Sequence, residues 1–192
     1  MIAIVRYNAG NIRSVRNAVE RLGYKCIITD NPAEIIASDK VILPGVGEAG
    51  SAMKHLKERG LDDVIRNLKQ PVLGICLGLQ LLCKYSEEGD TECLGIYDTG
   101  VKKLPPLDKV PHMGWNDFRS VSGRLLDGVK PEDDVYYVHS YCTDINANTN
   151  AEAFYIIPFS AAMQKDNFWA TQFHPEKSAV VGDRIMKNFL QL

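Results

Sequence analysis

Three short stretches of this sequence hold residue types that together would make a nucleophile, a base and an anion cradle. The first is Gly74-Ile75-Cys76-Leu77-Gly78, which follows apolar Val72-Leu73 and runs into Leu79-Gln80-Leu81-Leu82. Gly-x-Cys-x-Gly between a strand and a helix is the cysteine form of the nucleophile elbow, a turn too tight for side chains flanking the nucleophile. At a helix N-terminus, free backbone N–H groups and the helix dipole favour the thiolate, the reactive form of the residue. The same residues also fit a buried structural cysteine at a strand end.

The second stretch is Phe173-His174-Pro175-Glu176. Pro175 biases His174 towards an extended backbone. A carboxylate two residues on then lies on the same side and bonds one imidazole nitrogen, leaving the other for a nucleophile. The alternative is a loop histidine beside an unrelated surface glutamate. The remaining histidines are weaker candidates: His55 in a charged helical stretch, His112 in a loop, and His139 in an aromatic strand that suits a hydrogen-bonded core histidine.

The third stretch, Pro44-Gly45-Val46-Gly47-Glu48-Ala49-Gly50, follows an apolar strand. Gly45-x-Gly47-x-x-Gly50 matches the dinucleotide fingerprint literally. However, the first strand of the chain carries no such loop, and the acidic residue expected about 20 residues on is missing. The loop better suits close backbone approach to a small ligand, with N–H groups serving as oxyanion donors.

The elements that must position these stretches alternate. Strands are expected over 2–6, 25–29 and 40–43 and leading into Cys76, with helices over 12–22, from Asn31-Pro32, over 52–58, 61–68 and 178–190. Asn11 is the expected cap of the first helix. Continuously apolar strands alternating with helices indicate an α/β fold with a central, mostly parallel sheet covered on both faces, and ligands gather beyond the carboxyl ends of such strands. After Leu82 the pattern loosens, and a stretch punctuated by Pro105-Pro106 and Pro111 and running to about Gln172 reads as short strands, expected to be antiparallel and to form an additional smaller sheet region. The best of these spans 135–141, and 161–172 reads as a hairpin. The acidic residues of the 86–90 loop read as solvated surface.

At 192 residues, with 45% hydrophobic and 24% charged residues, the chain is expected to form a single domain over 1–192. A net charge of -2 gives no polyanion bias and argues against nucleic acid as a partner. No apolar run is long enough to span a membrane. The five cysteines lack any C-x-x-C pair, which fits a reducing, cytoplasmic setting and argues against a metal centre or disulfide framework. No cofactor is expected.

Taken together, the glycine loop, the cysteine elbow and the late His-x-Glu, in that order, resemble the class I (triad) glutamine amidotransferases. Pro44-Gly45-Val46-Gly47, residues 7–15 and Pro111-His112-Met113-Gly114-Trp115-Asn116 narrow the likeness to the glutaminase subunits that serve histidine biosynthesis. The resemblance implies the class I glutamine amidotransferase fold. It also implies a Cys76–His174–Glu176 triad that hydrolyses glutamine through a γ-glutamyl thioester. Leu77 and the Gly47 region would supply oxyanion donors, and Gln80, Ser140, Tyr141 and Cys142 would line the glutamine pocket. Met113, Trp115, Tyr136 and Lys177 would face a (β/α)8-barrel cyclase subunit that consumes the ammonia. The competing readings are a paralogue feeding another synthase, such as a sugar amidotransferase, a cysteine peptidase of similar architecture, and a flavodoxin-like binding module.

Overall fold

The computed structural model describes every residue except Ala9; residues 7–11 have turn chemistry in the sequence, and the Ala9 part of that turn lies outside the described residues. The first half of the chain forms β1 (Ile2–Val5), α1 (Ile12–Arg21), β2 (Cys26–Thr29), α2 (Pro32–Ala37), β3 (Lys40–Leu43), α3 (Ala49–Glu58), α4 (Leu61–Asn67), β4 (Val72–Ile75) and α5 (Leu77–Leu82). There follow β5 (Cys83–Ser86), β6 (Thr91–Glu92), β7 (Tyr97–Lys103), β8 (His112–Asn116), β9 (Ser120–Val121), β10 (Val135–His139) and β11 (Tyr141–Thr143). The chain closes with β12 (Thr149–Tyr155), β13 (Ile157–Lys165), β14 (Phe168–Thr171) and α6 (Ala179–Leu190).

The main sheet has eight strands in the order β2-β1-β3-β4-β14-β13-β12-β9. The first five are parallel, and β13, β12 and β9 continue the same sheet antiparallel beyond β14. Part of the expected antiparallel region is thus an extension of the central sheet. Alternation along the strands divides the core in two. Ile2, Ile4, Ile42 and Leu73 pack with Val15 and Val19 of α1 and with Ile185, Met186 and Phe189 of α6. Ala3, Val5, Val41, Leu43 and Val72 pack on the other face with Ile35, Met53, Leu56, Leu61, Ile65 and Leu79 from α2 to α5. Both faces are covered, which is why these strands read as unbroken apolar runs.

Two local expectations are corrected, and one strand pairing lies where no strand was expected. The strand expected over 135–141 breaks at Ser140: β10 pairs with β8 in a two-stranded sheet, while β11 joins a four-stranded sheet beside β7. The carbonyl of Tyr141 bonds back to His139 Nδ1 at 2.9 Å, which captures the backbone at the switch. In the four-stranded sheet β5 and β7 run parallel, because the β5–β6 hairpin reverses the chain and the next turn restores its direction. His112, read as a loop residue, is the buried first residue of β8.

Helix α6 packs tightly against the turn that follows His174. A Cβ placed on Gly182 would lie 1.9 Å from the Pro175 carbonyl oxygen, so only glycine lets helix and turn approach this closely. Gly182→Ala is therefore expected to lower stability by about 1–3 kcal/mol, the usual cost of overpacking. Denaturant unfolding checks this; an unchanged midpoint would mean that the turn yields freely.

Candidate active site

Cys76 sits between β4 and α5 with φ 52° and ψ -103°, a backbone conformation that L-residues rarely adopt and that costs on the order of 1–3 kcal/mol. Its amide donates to the Thr171 carbonyl at 2.7 Å, and its carbonyl accepts from Gln80 N–H at 3.2 Å. The flanking glycines are explained by neighbours. A Cβ on Gly78 would lie 2.0 Å from the Leu43 carbonyl oxygen, and one on Gly74 would lie 2.8 Å from the Gly78 backbone. The elbow is pressed directly onto the carboxyl end of β3, where the glycine loop begins.

His174 follows β14 in an extended conformation, φ -101° and ψ 93°. Its N–H donates to the Tyr136 carbonyl at 2.9 Å, and the Ser178 hydroxyl donates to its carbonyl at 2.7 Å. Nδ1 lies 2.9 Å from Glu176 Oε1, and neither side chain has any exposed surface. Asn11 does not cap α1. It takes a left-handed backbone, and its side-chain amide donates to the same Glu176 oxygen. The side chain is turned towards the buried carboxylate, and its oxygen accepts no N–H of α1.

Nε2 of His174 has no partner among the described residues other than the Cys76 sulfur, which acts on the imidazole through charge and hydrogen bonding. Burial lowers the pKa of this imidazole, but a Cys76 thiolate and then Glu176 more than offset that, raising it to about 10. The arrangement holds a proton on the imidazole next to the sulfur, so the nucleophile has a proton donor beside it. The sulfur itself meets the Val138 carbonyl at 3.8 Å and receives the Gln172 amide at 3.6 Å.

In front of the sulfur lies a cavity of about 290 Å³, lined by Val46, Gly47, Cys76, Leu77, Gln80, Glu88, Pro111, Val138, His139, Ser140 and Tyr141. This is room for an amino-acid-sized ligand. A wider surface hollow at Gly123, Arg124, Asp127, Asn188 and Gln191 contains no cysteine or histidine. Five of the residues expected around the nucleophile (Gly47, Leu77, Gln80, Ser140 and Tyr141) line the cavity with it. Cys142 does not: it is fully buried in the core, and burial pushes its thiol up to about 12. Gln80 is 4% exposed, and its amide donates to the Tyr141 carbonyl at 3.0 Å and to Gln172 Oε1 at 3.3 Å. The Leu77 N–H faces the Gly45 carbonyl at 3.4 Å, so the loop's own oxygen occupies that donor in this conformation. Gly10 N–H in turn holds the Val46 carbonyl at 2.9 Å.

Of the cavity and sulfur neighbours that escaped the sequence reading, Glu88 and Gln172 bring a carboxylate and an amide to the site. Glu88, taken for solvated surface, reaches the cavity and accepts the Ala49 N–H at 2.8 Å. Burial, with the charge of Glu48 adding to it, raises its carboxyl pKa against that hydrogen bond, so a cationic ligand group would be favoured beside it. No local pattern points to it. Gln172, fully buried at the end of β14, had one available signal: an amide just before the histidine, after an otherwise apolar strand. The glycine loop leads into α3, whose first N–H groups are already engaged. Glu48 accepts from Gly50 and Ser51 at 2.8 and 2.7 Å, and Glu88 takes Ala49, leaving no cradle for a dinucleotide phosphate.

Met113 and Trp115 are 60% and 54% exposed and share one face of the β8–β10 pair with Tyr136 and Val138. Trp115 meets Tyr136 edge-on at 6.0 Å, and Lys177 Nζ lies 5.7 Å from the Tyr136 ring centre. An exposed aromatic and cationic cluster therefore borders the cavity, which Val138 also lines.

Residues 4–192 match the family described as glutamine amidotransferase class-I. Over the whole chain and 99% of the relative, the sequence is 55% identical to the imidazole glycerol phosphate synthase subunit HisH of Bacteroides fragilis. It is 43% identical, over the same shares, to the protein of that name from Escherichia coli K12. A crystal structure of a glutamine amidotransferase superposes with a TM-score of 0.78 at 18% identity, covering 99% of this chain and 97% of that one, which is a likeness of fold. No helix among the described residues is long and apolar enough to cross a membrane.

In Cys76→Ala the largest raising influence on His174 is removed while burial, which lowers its pKa, remains. His174 is expected to titrate well below its wild-type midpoint, read from imidazole chemical shifts across the neutral to alkaline range. Coincident midpoints would show that the sulfur does not hold the proton there.

Proposed function

The chain belongs to the class-I glutamine amidotransferase family, and from that premise we propose that it acts as the glutaminase subunit of an imidazole glycerol phosphate synthase in histidine biosynthesis. The observation that carries the mechanism is a thiol, an imidazole and a carboxylate converging at a small cavity. The sulfur lies beside His174, whose Nδ1 is 2.9 Å from Glu176. The Cys76 thiolate attacks the side-chain amide carbon of glutamine. His174 gives its proton to the departing nitrogen, the carbon–nitrogen bond breaks, and ammonia leaves a γ-glutamyl thioester. His174 then takes a proton from water, the hydroxide displaces the sulfur, and glutamate departs. Glu176, itself held by Asn11, keeps Nδ1 protonated and supports the cation.

The amino-acid end of glutamine lies along Gln80, Ser140 and Tyr141, with its ammonium group at Glu88. Oxyanion stabilisation requires the Leu77 N–H, which now faces Gly45 O at 3.4 Å, so the loop must move before that donor is free. One oxyanion donor is worth about 2.7–4 kcal/mol, enough to hold the enzyme nearly silent until the loop shifts. The partner is a (β/α)8-barrel cyclase subunit that docks on Met113, Trp115, Tyr136 and Lys177 and receives ammonia before water protonates it. The exposed aromatics are of the kind that anchor interfaces. Five free cysteines suit a cytoplasmic setting. The family assignment disfavours the peptidase and flavodoxin-like readings, and relatives named for imidazole glycerol phosphate synthase favour that partner over a sugar amidotransferase.

Cys76→Ala is expected to abolish glutamine-dependent synthesis while the assembled enzyme still works with added ammonia; retained glutamine-dependent turnover would sink the mechanism. The wild-type subunit alone should release glutamate slowly and accelerate once the cyclase and its nucleotide ligand are added. Glu88→Gln should raise KM for glutamine about tenfold, the worth of one charged hydrogen bond, with kcat less affected. An unchanged KM would remove Glu88 from the amine site.

A further inference from the structure

At the cavity wall lie two histidines that the glutaminase mechanism does not use, and one of them, His139, is itself part of the lining. His112 of β8 stands opposite His139 of β10, and both are nearly fully buried. His112 Nδ1 is 3.0 Å from His139 Nε2, and His139 Nδ1 is 2.9 Å from the Tyr141 carbonyl. Asn116 Nδ2, which donates to the Phe154 carbonyl at 3.0 Å, lies 3.5 Å from His112 Nε2. The His112 ring is also stacked between Tyr137 and Tyr155, with ring centres at 4.8 and 4.0 Å.

A carbonyl only accepts, so His139 Nδ1 carries the hydrogen. Burial keeps both rings neutral, lowering His139 to about 3 and His112 to about 4, so each has one N–H at neutral pH. Nε2 of His139 is then a bare acceptor, and the proton between the rings belongs to His112 Nδ1. His112 Nε2 is left bare towards the Asn116 amide. One carbonyl thus sets the direction of the whole chain of donors. That carbonyl also receives Gln80, which bonds Gln172, which donates to the Cys76 sulfur. Pro111, beside His112, and the stretch from Val138 to Tyr141 are both parts of the cavity lining. The imidazole pair ties them together. Two apolar rings would fill this volume without the cost of burying polar nitrogens, so packing alone gives no reason for the pair.

We propose that His112 and His139 are positioning residues for the glutaminase reaction, a directional hydrogen-bonded pair that fixes the Tyr141 carbonyl and, through it, Gln80 and the glutamine-binding wall. This rests on the reading of the cavity as a glutamine site. The test uses the subunit assembled with its cyclase and nucleotide ligand. His112→Phe keeps the stacked ring and removes the donor, whereas His112→Asn keeps an N–H near the position of Nδ1. His112→Phe should raise KM for glutamine about tenfold, the effect of one well-placed hydrogen bond, with a lowered melting temperature because buried His139 Nε2 loses its donor. His112→Asn should restore most of the loss. Nitrogen-15 imidazole spectra of the wild-type protein at neutral pH should show both rings neutral and protonated on Nδ1. Wild-type KM in His112→Phe, or an Nε2-protonated or charged His139, would overturn the proposal. If His112→Phe does not fold, the wild-type spectrum decides. Failure of the glutaminase reading is separate: it would appear as absent glutamate release in wild type, or release unchanged in Cys76→Ala.

Discussion

Where α5 meets the end of β3, backbone rests on backbone. Gly78 has no side chain, and a single added carbon would lie 2.0 Å from the Leu43 carbonyl oxygen. That approach lets the chain leave β4, turn at Cys76 and enter α5 while the glycine loop after β3 stays beside the sulfur. Leu77 N–H and Gly45 C=O meet only because of it. The parallel order β3-β4-β14 then brings the His174 turn to the same sheet edge, one strand away. Nucleophile, loop and base come from three strand ends that neighbour one another in space but are far apart in sequence.

Burial sets the electrostatics of this edge. An imidazole with no exposed surface loses pKa to desolvation unless a charge compensates. Here the sulfur on one side and Glu176 on the other reverse the sign. Glu176 is itself tethered by Asn11, so the loop before α1 and the turn before α6 share one carboxylate oxygen. His112 and His139 show the opposite regime: no anion compensates, both stay neutral, and they act as hydrogen-bonding groups rather than charges.

What could be read from the sequence follows from the range of each interaction. The apolar runs of β1, β3 and β4, the Gly-Cys-Gly turn and the His-Pro-Glu segment are local, because their patterns arise from neighbours two to four residues away. Glu88 and Gln172 were not legible as site residues, since their roles depend on contacts across 39 and 96 residues. The break at Ser140 was missed because residues 135–141 carry strand chemistry throughout, and only pairing partners decide which sheet each half joins. The parallel β5–β7 pair was hidden for the same reason. Asn11 has the chemistry of a cap, but its NH2 group bonds a buried carboxylate 165 residues away and its oxygen caps nothing.

The backbone at residue 76 also bears on how the sequence can drift. With φ 52° and ψ -103°, that position holds a conformation that glycine adopts far more easily than cysteine. Stability and chemistry therefore pull it in opposite directions, since the residue that would relax the turn removes the thiol. A lineage released from glutamine hydrolysis would be free to take that relief, and the identity of this one residue would record whether the selective demand for a nucleophile persists.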